Sequence, residues 1–239
     1  MKIEITIPVL NEETSIDEKI NRLNAYINDN LATLGDIKII IADNGSSDAT
    51  KEKSQILEKY LDRVEYLRLE ERGVGLALKS SWSKSNAGII GYMDLDLATD
   101  LKHIKPALEK LISLEADIVT GSRLKNGAKV IGRSKIRNFT SYVFNKIVKT
   151  VFGTTFSDGM CGFKFLNRST LDDLISNGAN SNGWFFATEI LVVGEFLNYK
   201  IYDLPVLWTD DPNSKVKIIK LAIDYIKQIV KLKTELNKK

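Results

Sequence analysis

Ile89-Ile90-Gly91-Tyr92-Met93-Asp94-Leu95-Asp96 is a short, bulky, apolar run that ends in two acids, and the fold can be read outward from it. So brief a run, bounded by polar sequence, suits a buried strand better than a helix. Ile3 to Ile7, Ile37 to Ala42, Val64 to Leu69 and Ile118 to Thr120 have the same character, with amphipathic stretches between them. After Ser15 and Glu18, whose spacing suits a capping box, Ile20, Leu23, Ile27 and Leu31 recur at helical intervals. Ser47 or Asp48 suits the cap of a second helix ending near Leu61, and Asp100 the cap of a third ending near Leu114. Repeated alternation of this kind predicts an α/β fold, a mostly parallel sheet flanked by helices. Ligands bind such sheets beyond the carboxyl ends of the strands, which brings Pro8 to Glu12, Asp43 to Ser47 and Asp94 to Asp100 together.

The chain has 239 residues, enough for one domain with a buried core. We expect that domain over 1–213, with a ligand-binding half at 1–121, a second half at 122–213, and a basic amphipathic C-terminal helix at 214–239. With 34 basic and 31 acidic residues the formal net charge is +3, which does not mark a nucleic-acid binder. A single cysteine, Cys161, excludes an internal disulfide and a cysteine zinc cage, and the single histidine, His103, excludes His-rich metal sites. Neither an apolar leader nor a run of about 18 apolar residues is present, so the chain is expected in the cytoplasm, neither secreted nor membrane-spanning.

The chemistry-bearing residues fall into four clusters. Pro8, Asn11 and Glu12 follow the first strand, and Asp43 and Ser46 the second; their carboxylates and amides suit a base and ribose, while the helix N-termini beyond them suit anions. Asp94 and Asp96 end a strand whose alternation points both acids to one side, and two converging charges call for a hard cation, Mg²⁺ or Mn²⁺, shared with a diphosphate. Arg72, Lys79, Arg123, Arg133, Lys135, Arg137 and Lys164 form a basic set, among which Arg123 and Arg137 have the least surface-like settings for holding phosphate oxygens. Finally, Ser157-Asp158-Gly159-Met160-Cys161-Gly162-Phe163-Lys164 places two glycines where backbone can approach a ligand closely. Cys161 and His103 read as packing or structural residues.

In this order the clusters resemble inverting glycosyltransferases of the family-2 type with the Rossmann-like GT-A fold, particularly the polyprenyl- or dolichyl-phosphate glucosyl- and mannosyltransferases. The likeness spans nearly the whole chain and rests on Pro8 to Glu12, Asp43 to Asp48, Asp94 to Thr99, Gly121 to Arg123, Cys161 to Lys164, Thr188 to Leu191 and Pro205 to Trp208. It implies that Pro8, Glu12 and Asp43 hold the nucleoside of UDP-glucose or GDP-mannose, Asp94 and Asp96 the metal and diphosphate, and that Arg123, Arg137 and Lys164 face phosphates. Cys161 to Lys164 and the later Ser214-Lys215 favour the lipid-phosphate branch. Ala98-Thr99 is more like the glucosyl type, the mannosyl type often having Gln at Ala98; Gly73 and Gly75 lack the Lys commonly found between them.

A lipid monophosphate acceptor is already largely ionised at neutral pH, so this chemistry asks for cations rather than a strong base. Glu189 is the candidate base should the acceptor be a saccharide hydroxyl, the chief alternative within the enzymes. A non-catalytic nucleotide-sugar-binding protein is the alternative outside them. In the tail Ile219, Ala222, Ile223, Ile226, Ile229 and Val230 form an apolar stripe, with Lys217, Lys220, Lys227, Lys231 and Lys233 mainly elsewhere. This stripe suits peripheral membrane contact, with Trp208 and Tyr225 at the interface, or equally the chain's own core, a membrane subunit or a second copy of the chain.

Overall fold

The computed structural model describes residues 1–210 and 218–238. Strands β1 (Lys2–Val9), β2 (Asp36–Asp43) and β3 (Val64–Arg68) alternate with helices α1 (Ile16–Asn30), α2 (Thr50–Tyr60) and α3 (Val74–Lys84). Then follow β4 (Ile89–Met93), α4 (Ile104–Ile112), β5 (Ile118–Ser122), β6 (Lys129–Ile131), α5 (Lys135–Phe152), β7 (Phe163–Asn167) and α6 (Leu171–Ser176). The chain closes with α7 (Phe186–Phe196), β8 (Ile201–Pro205), β9 (Leu207–Thr209) and α8 (Ile218–Leu236). All five expected strands are present, as are the helices between them.

The main sheet has the order β3-β2-β1-β4-β7-β5-β8, parallel except for β7, which runs antiparallel between β4 and β5. β6 and β9 form a small parallel pair beside it. Both faces of the sheet are covered, so alternation along β4 sends Ile89 and Met93 into one core and Ile90 and Tyr92 into the other. The first core is shared with α1 and α4, through residues such as Ile20, Leu23, Ile104 and Leu108; the second, with α3, α7 and α8, through Trp82, Phe186 and Ile229.

Several local expectations change in the folded chain. Ser15 precedes α1 without a side-chain cap; its hydroxyl instead donates to Glu12 Oε2 at 2.7 Å. Asp100 does cap the turn leading into α4, accepting from Lys102 N at 3.0 Å. The segment read as a glycine-rich loop around Cys161 runs into β7, a strand that five residues containing a lysine do not announce. In α8, Tyr225, Ile229, Leu232 and Leu236 are buried on the chain's own core, while Ile226 and Val230 remain exposed. Tyr225 is therefore an internal residue, ring-packed on Phe144 and Phe185, rather than an interfacial one. Ser214, Lys215 and the expected 213/214 boundary lie outside the described residues, as do the side chains of Lys217, Ile219, Lys220, Ala222 and Ile223.

Insertion of β7 demands close backbone approach at Gly91, where a Cβ would meet Phe165 Cδ1 at 2.2 Å and the Lys164 carbonyl oxygen at 2.7 Å. Gly91→Ala is expected to destabilise the fold by about 1–3 kcal/mol or more through overpacking. An unchanged urea midpoint for this variant would contradict the contact between β4 and β7.

Candidate active site

At the carboxyl ends of β1 and β2 two loops hold one another. Asn11, at φ +54°, donates from its backbone N to Ser46 Oγ at 2.9 Å and accepts from Ser47 N at 2.9 Å. The Glu12 backbone N–H donates to Thr50 Oγ1 at 2.8 Å, and Glu13 Oε2 accepts from Ala49 N at 2.9 Å. Pro8 is the penultimate residue of β1, opposite Ala42. Asp43 is fully buried. Burial alone would raise its pKa, but hydrogen bonds from Ser46 N (2.8 Å), Tyr66 Oη (2.7 Å) and Arg68 Nη1 (2.7 Å) hold it below the ordinary value. The sequence carries no signal for Tyr66 and Arg68, since nothing local links the end of β3 to Asp43.

The start of α3 is joined to this floor by Gly73 N, which donates to Asn44 Oδ1 at 3.2 Å. Its next amides, Gly75 N and Leu76 N, donate to the carbonyls of Gly183 and Asn182 at 3.2 and 3.1 Å. Arg72 is exposed immediately before this turn. Lys79 donates to Asn182 Oδ1 at 2.8 Å and also to the Asn180 carbonyl; Glu189 is buried and accepts from Ser181 N at 2.8 Å. Burial lowers the pKa of Lys79 and raises that of Glu189. Thus two residues singled out for different roles hold one loop, 180–183, against the start of α3.

Asp94 and Asp96 lie just past β4, so a turn, and not strand alternation, brings the acids together: Leu97 N donates to the Asp94 carbonyl at 3.2 Å, with Leu97 at φ +54°. Ala98 N donates to Asp96 Oδ1 at 2.9 Å. Asp94 Oδ1 is buried with no hydrogen-bond partner, while Oδ2 lies where a Cβ on Gly162 would approach to 1.8 Å. This explains the glycine. Burial, then the neighbouring Asp96 charge, pushes the Asp94 carboxyl up to about 7, against the pull of Arg123 and Lys164. Among the described residues no group of three or more His, Cys, Asp or Glu side chains could enclose a metal by itself.

The basic residues divide by partner. Arg123 is nearly buried and forms a two-point pair with fully buried Asp158, Nε to Oδ2 at 2.7 Å and Nη2 to Oδ1 at 3.0 Å. Arg137 pairs with Asp210, Nη1 lying 2.6 and 2.8 Å from its two carboxylate oxygens. Lys164 sits inside β7, donating to the carbonyls of Cys161 (2.7 Å) and Gly159 (3.2 Å), and burial brings its pKa down to about 8. Arg133 donates from Nη2 to Ser141 Oγ at 2.7 Å, yet its Nε and Nη1 are buried without partners. Burial, then the Arg123 charge, lowers the Arg133 pKa to about 10. Both Arg123 and Arg133 stack on Trp208, 5.4 and 5.2 Å from the ring. Trp208 bridges to Thr99, beyond the two acids, so it is part of this cluster. Cys161 is buried, and His103 accepts from Leu207 N at 2.8 Å, both structural as expected. Lys135 is exposed at the start of α5.

Asp158 is the residue that makes a buried Arg123 tolerable, and its pKa falls to about 2, since the Arg123 pairing outweighs the upward push of burial. A depressed folded-state value means the pair stabilises the protein above about pH 4 and loses that contribution as pH falls toward 2. Asp158→Asn should cost about 3–5 kcal/mol in denaturant unfolding at neutral pH, because it leaves a buried guanidinium uncompensated. It should also flatten the acid limb of the stability profile; an unaltered midpoint and profile would contradict this role.

Comparison with known proteins places this geometry in context. The family model described as Glycosyl transferase family 2 matches residues 4–175. Glycosyltransferase AglD of Haloferax volcanii is 27% identical over 97% of the chain, which spans only 37% of that protein's length. The dolichyl-phosphate beta-glucosyltransferase of Dictyostelium discoideum is 28% identical over 97% of the chain and 73% of its own; that of Saccharomyces cerevisiae, 30% over 80% and 61%. Among solved structures, glucosyl-3-phosphoglycerate synthase from Mycobacterium tuberculosis, in complex with Mn²⁺, uridine diphosphate and glucosyl-3-phosphoglycerate, superposes with a TM-score of 0.71 at 15% identity, covering 97% of this chain and 79% of that one. Staphylococcus aureus TarS with UDP-GlcNAc gives 0.63 at 18%, covering 98% and 66%. The architecture is that of the GT-A fold, and the chain belongs to glycosyl transferase family 2.

Proposed function

We propose that this chain transfers a hexose, with inversion, from a nucleoside diphosphate sugar to a polyprenyl or dolichyl phosphate. The observation that carries the reading is the unpartnered guanidinium edge of Arg133, beside the Arg123–Asp158 pair and in the same cluster as the unpartnered oxygen of Asp94. Orphaned buried donors and acceptors are costly, and such a pairing suits an anionic acceptor on one side and a cation on the other. UDP-glucose is the favoured donor, since several relatives are named dolichyl-phosphate beta-glucosyltransferases, and two solved structures of the same fold hold UDP or UDP-GlcNAc.

Pro8, Glu12 and Asp43, with Asn11 and Ser46 beside them, would face the nucleoside. Asp94 and Asp96 would hold Mg²⁺ or Mn²⁺, a fit supported by the unpartnered Asp94 oxygen; two acids leave the remaining positions to diphosphate oxygens and water. When bound, that cation neutralises charge developing on the departing diphosphate. Arg133 would grip the acceptor phosphate and aim its oxygen at the anomeric carbon, so that one displacement inverts the configuration. Arg123 and Arg137, already paired with Asp158 and Asp210, would contribute field and position more than direct contact. No base is needed, in keeping with Glu189 being buried against Ser181 N. No described helix is long and apolar enough to cross a membrane.

The test is transfer of label from UDP-glucose or GDP-mannose to a short polyprenyl phosphate, with and without divalent cation. Asp96→Asn should abolish metal-dependent transfer with an unchanged unfolding curve; turnover retained with Mg²⁺ or Mn²⁺ would sink the metal assignment. Arg133→Gln should raise the acceptor KM at least about tenfold, while leaving the free protein as stable or more so, because it removes an unpaired buried charge. If nucleotide sugar binds but no lipid is labelled, a saccharide hydroxyl becomes the acceptor to test.

A further inference from the structure

Asp203 is a buried acid with no part in the site described above. It lies in β8, the edge strand of the main sheet, opposite Thr120 of β5, and its side chain is 7% exposed. Oδ2 accepts from Ser157 N at 2.8 Å, but Oδ1 is buried with no hydrogen-bond partner among the described residues. Lys125, itself half exposed, comes only to 3.9 Å from Oδ2. Burial accordingly raises the pKa of Asp203, against the pull of Ser157 N and Lys125. A half-satisfied buried carboxylate costs stability, so its place is explained by what its other oxygen holds.

We propose that Asp203 is a positioning residue for sugar transfer, fixing Arg123 through a pair of serine hydroxyls. Oδ2 anchors the backbone of Ser157, and Ser157 Oγ lies 2.6 Å from Ser122 Oγ. Ser122 Oγ also accepts from Leu124 N at 3.2 Å and Lys125 N at 3.0 Å, which directs its own proton to Ser157 Oγ. Each serine immediately precedes one member of the Arg123–Asp158 pair. The hydroxyl contact therefore sets the spacing of the two backbones where the guanidinium meets its carboxylate, and there Arg123 N also donates to Asp158 Oδ2 at 3.2 Å. Arg123 stacks on Trp208, the ring that also carries Arg133, so a shift of Ser157 is passed on to Arg133. Small displacements of a group that orients a reactant are enough to slow a reaction severely. This consequence for transfer rests on the acceptor reading above; the link from Asp203 to Arg123 does not. The loop keeps other anchors, Glu195 on the amides of Thr155 and Phe156 and Asn145 on that of Gly159, so loss of Asp203 leaves it attached.

The test compares Asp203→Ala, Asp203→Asn and Ser157→Ala in the whole chain, well below their unfolding midpoints. One readout is transfer to a short isoprenyl phosphate; the other is hydrogen exchange at the Arg123 Nε–H, followed by ¹⁵N NMR and assigned by its loss in Arg123→Lys. Asp203→Ala and Ser157→Ala should each lower kcat at least about tenfold with the donor KM unchanged, and quicken that exchange by a similar factor. Asp203→Asn keeps an acceptor for Ser157 N and should stay close to the wild type in both. The double alanine variant should be no slower than the slower single one, because both substitutions cut one chain of contacts. A purely structural role would lower the midpoint of Asp203→Ala and leave kcat alone. Wild-type kcat in either alanine variant overturns the proposal, as do additive losses or an Asp203→Asn as impaired as Asp203→Ala. Should Asp203→Ala fail to fold, Ser157→Ala decides by the same criteria. A wild type that moves no sugar to the isoprenyl phosphate overturns the acceptor reading instead, and the exchange measurement then decides the link to Arg123 by itself, unaltered exchange overturning it.

Discussion

The Arg123–Asp158 pair sets the terms for the whole site. Arg123 follows the end of β5 and Asp158 lies in the loop before β7, so their contact ties that loop to the strand end. A buried ion pair contributes little net stability, yet losing one partner is severe, because the survivor stays charged and dry. The pair therefore acts chiefly as a constraint. It ties the loop carrying Gly159 and Gly162 to the end of β5, and Gly162 is where that loop meets Asp94. Trp208, stacked on Arg123, carries the constraint onward to Arg133 and, through its bridge to Thr99, back to the loop holding the two acids.

From that constraint follows a division among the cations. Arg123 and Arg137 are matched by carboxylates and Lys164 by backbone carbonyls, which leaves each of them a small residual capacity for a ligand. Arg133 is held differently: among the described residues it donates to a serine, and stacking on an aromatic face holds its plane while two buried nitrogens have no partner there. Preorganised donors of this kind do not have to reorganise when an anion arrives, which is the property electrostatic catalysis needs. Asp94 is the counterpart of opposite sign, with one carboxylate oxygen buried and unpartnered.

The same physics accounts for the loops at the carboxyl ends of β1 and β2. The ends of β1 and β2 are cross-linked by Asn11, Ser46, Thr50 and Asp48, and the start of α3 is covered by the 180–183 carbonyls. The amides that open α3 are thereby satisfied from within the protein. Lys79 and Glu189 stabilise that cover from opposite sides. Helix α5 presents lysines and apolar side chains outward.

The sequence by itself determined the strands and the loops in which chemistry collects, because apolar periodicity and the positions of turn residues are local properties. Runs such as Ile37 to Ala42 and the acids after Met93 could be read without a partner in view. It could not determine which cations are neutralised, since Asp158 meets Arg123 across 35 residues and Asp210 meets Arg137 across 73. Nor could five residues around Lys164 reveal that they form an antiparallel strand inserted at the centre of a parallel sheet, and the apolar tail could not say which of its side chains face the core. Those outcomes depend on contacts between distant segments. Only the tertiary structure decided that Asp43 is saturated, that Arg133 is not, and that the outer face of α5 is left apolar, because burial and hydrogen-bond satisfaction belong to the packed molecule and not to any stretch of the chain.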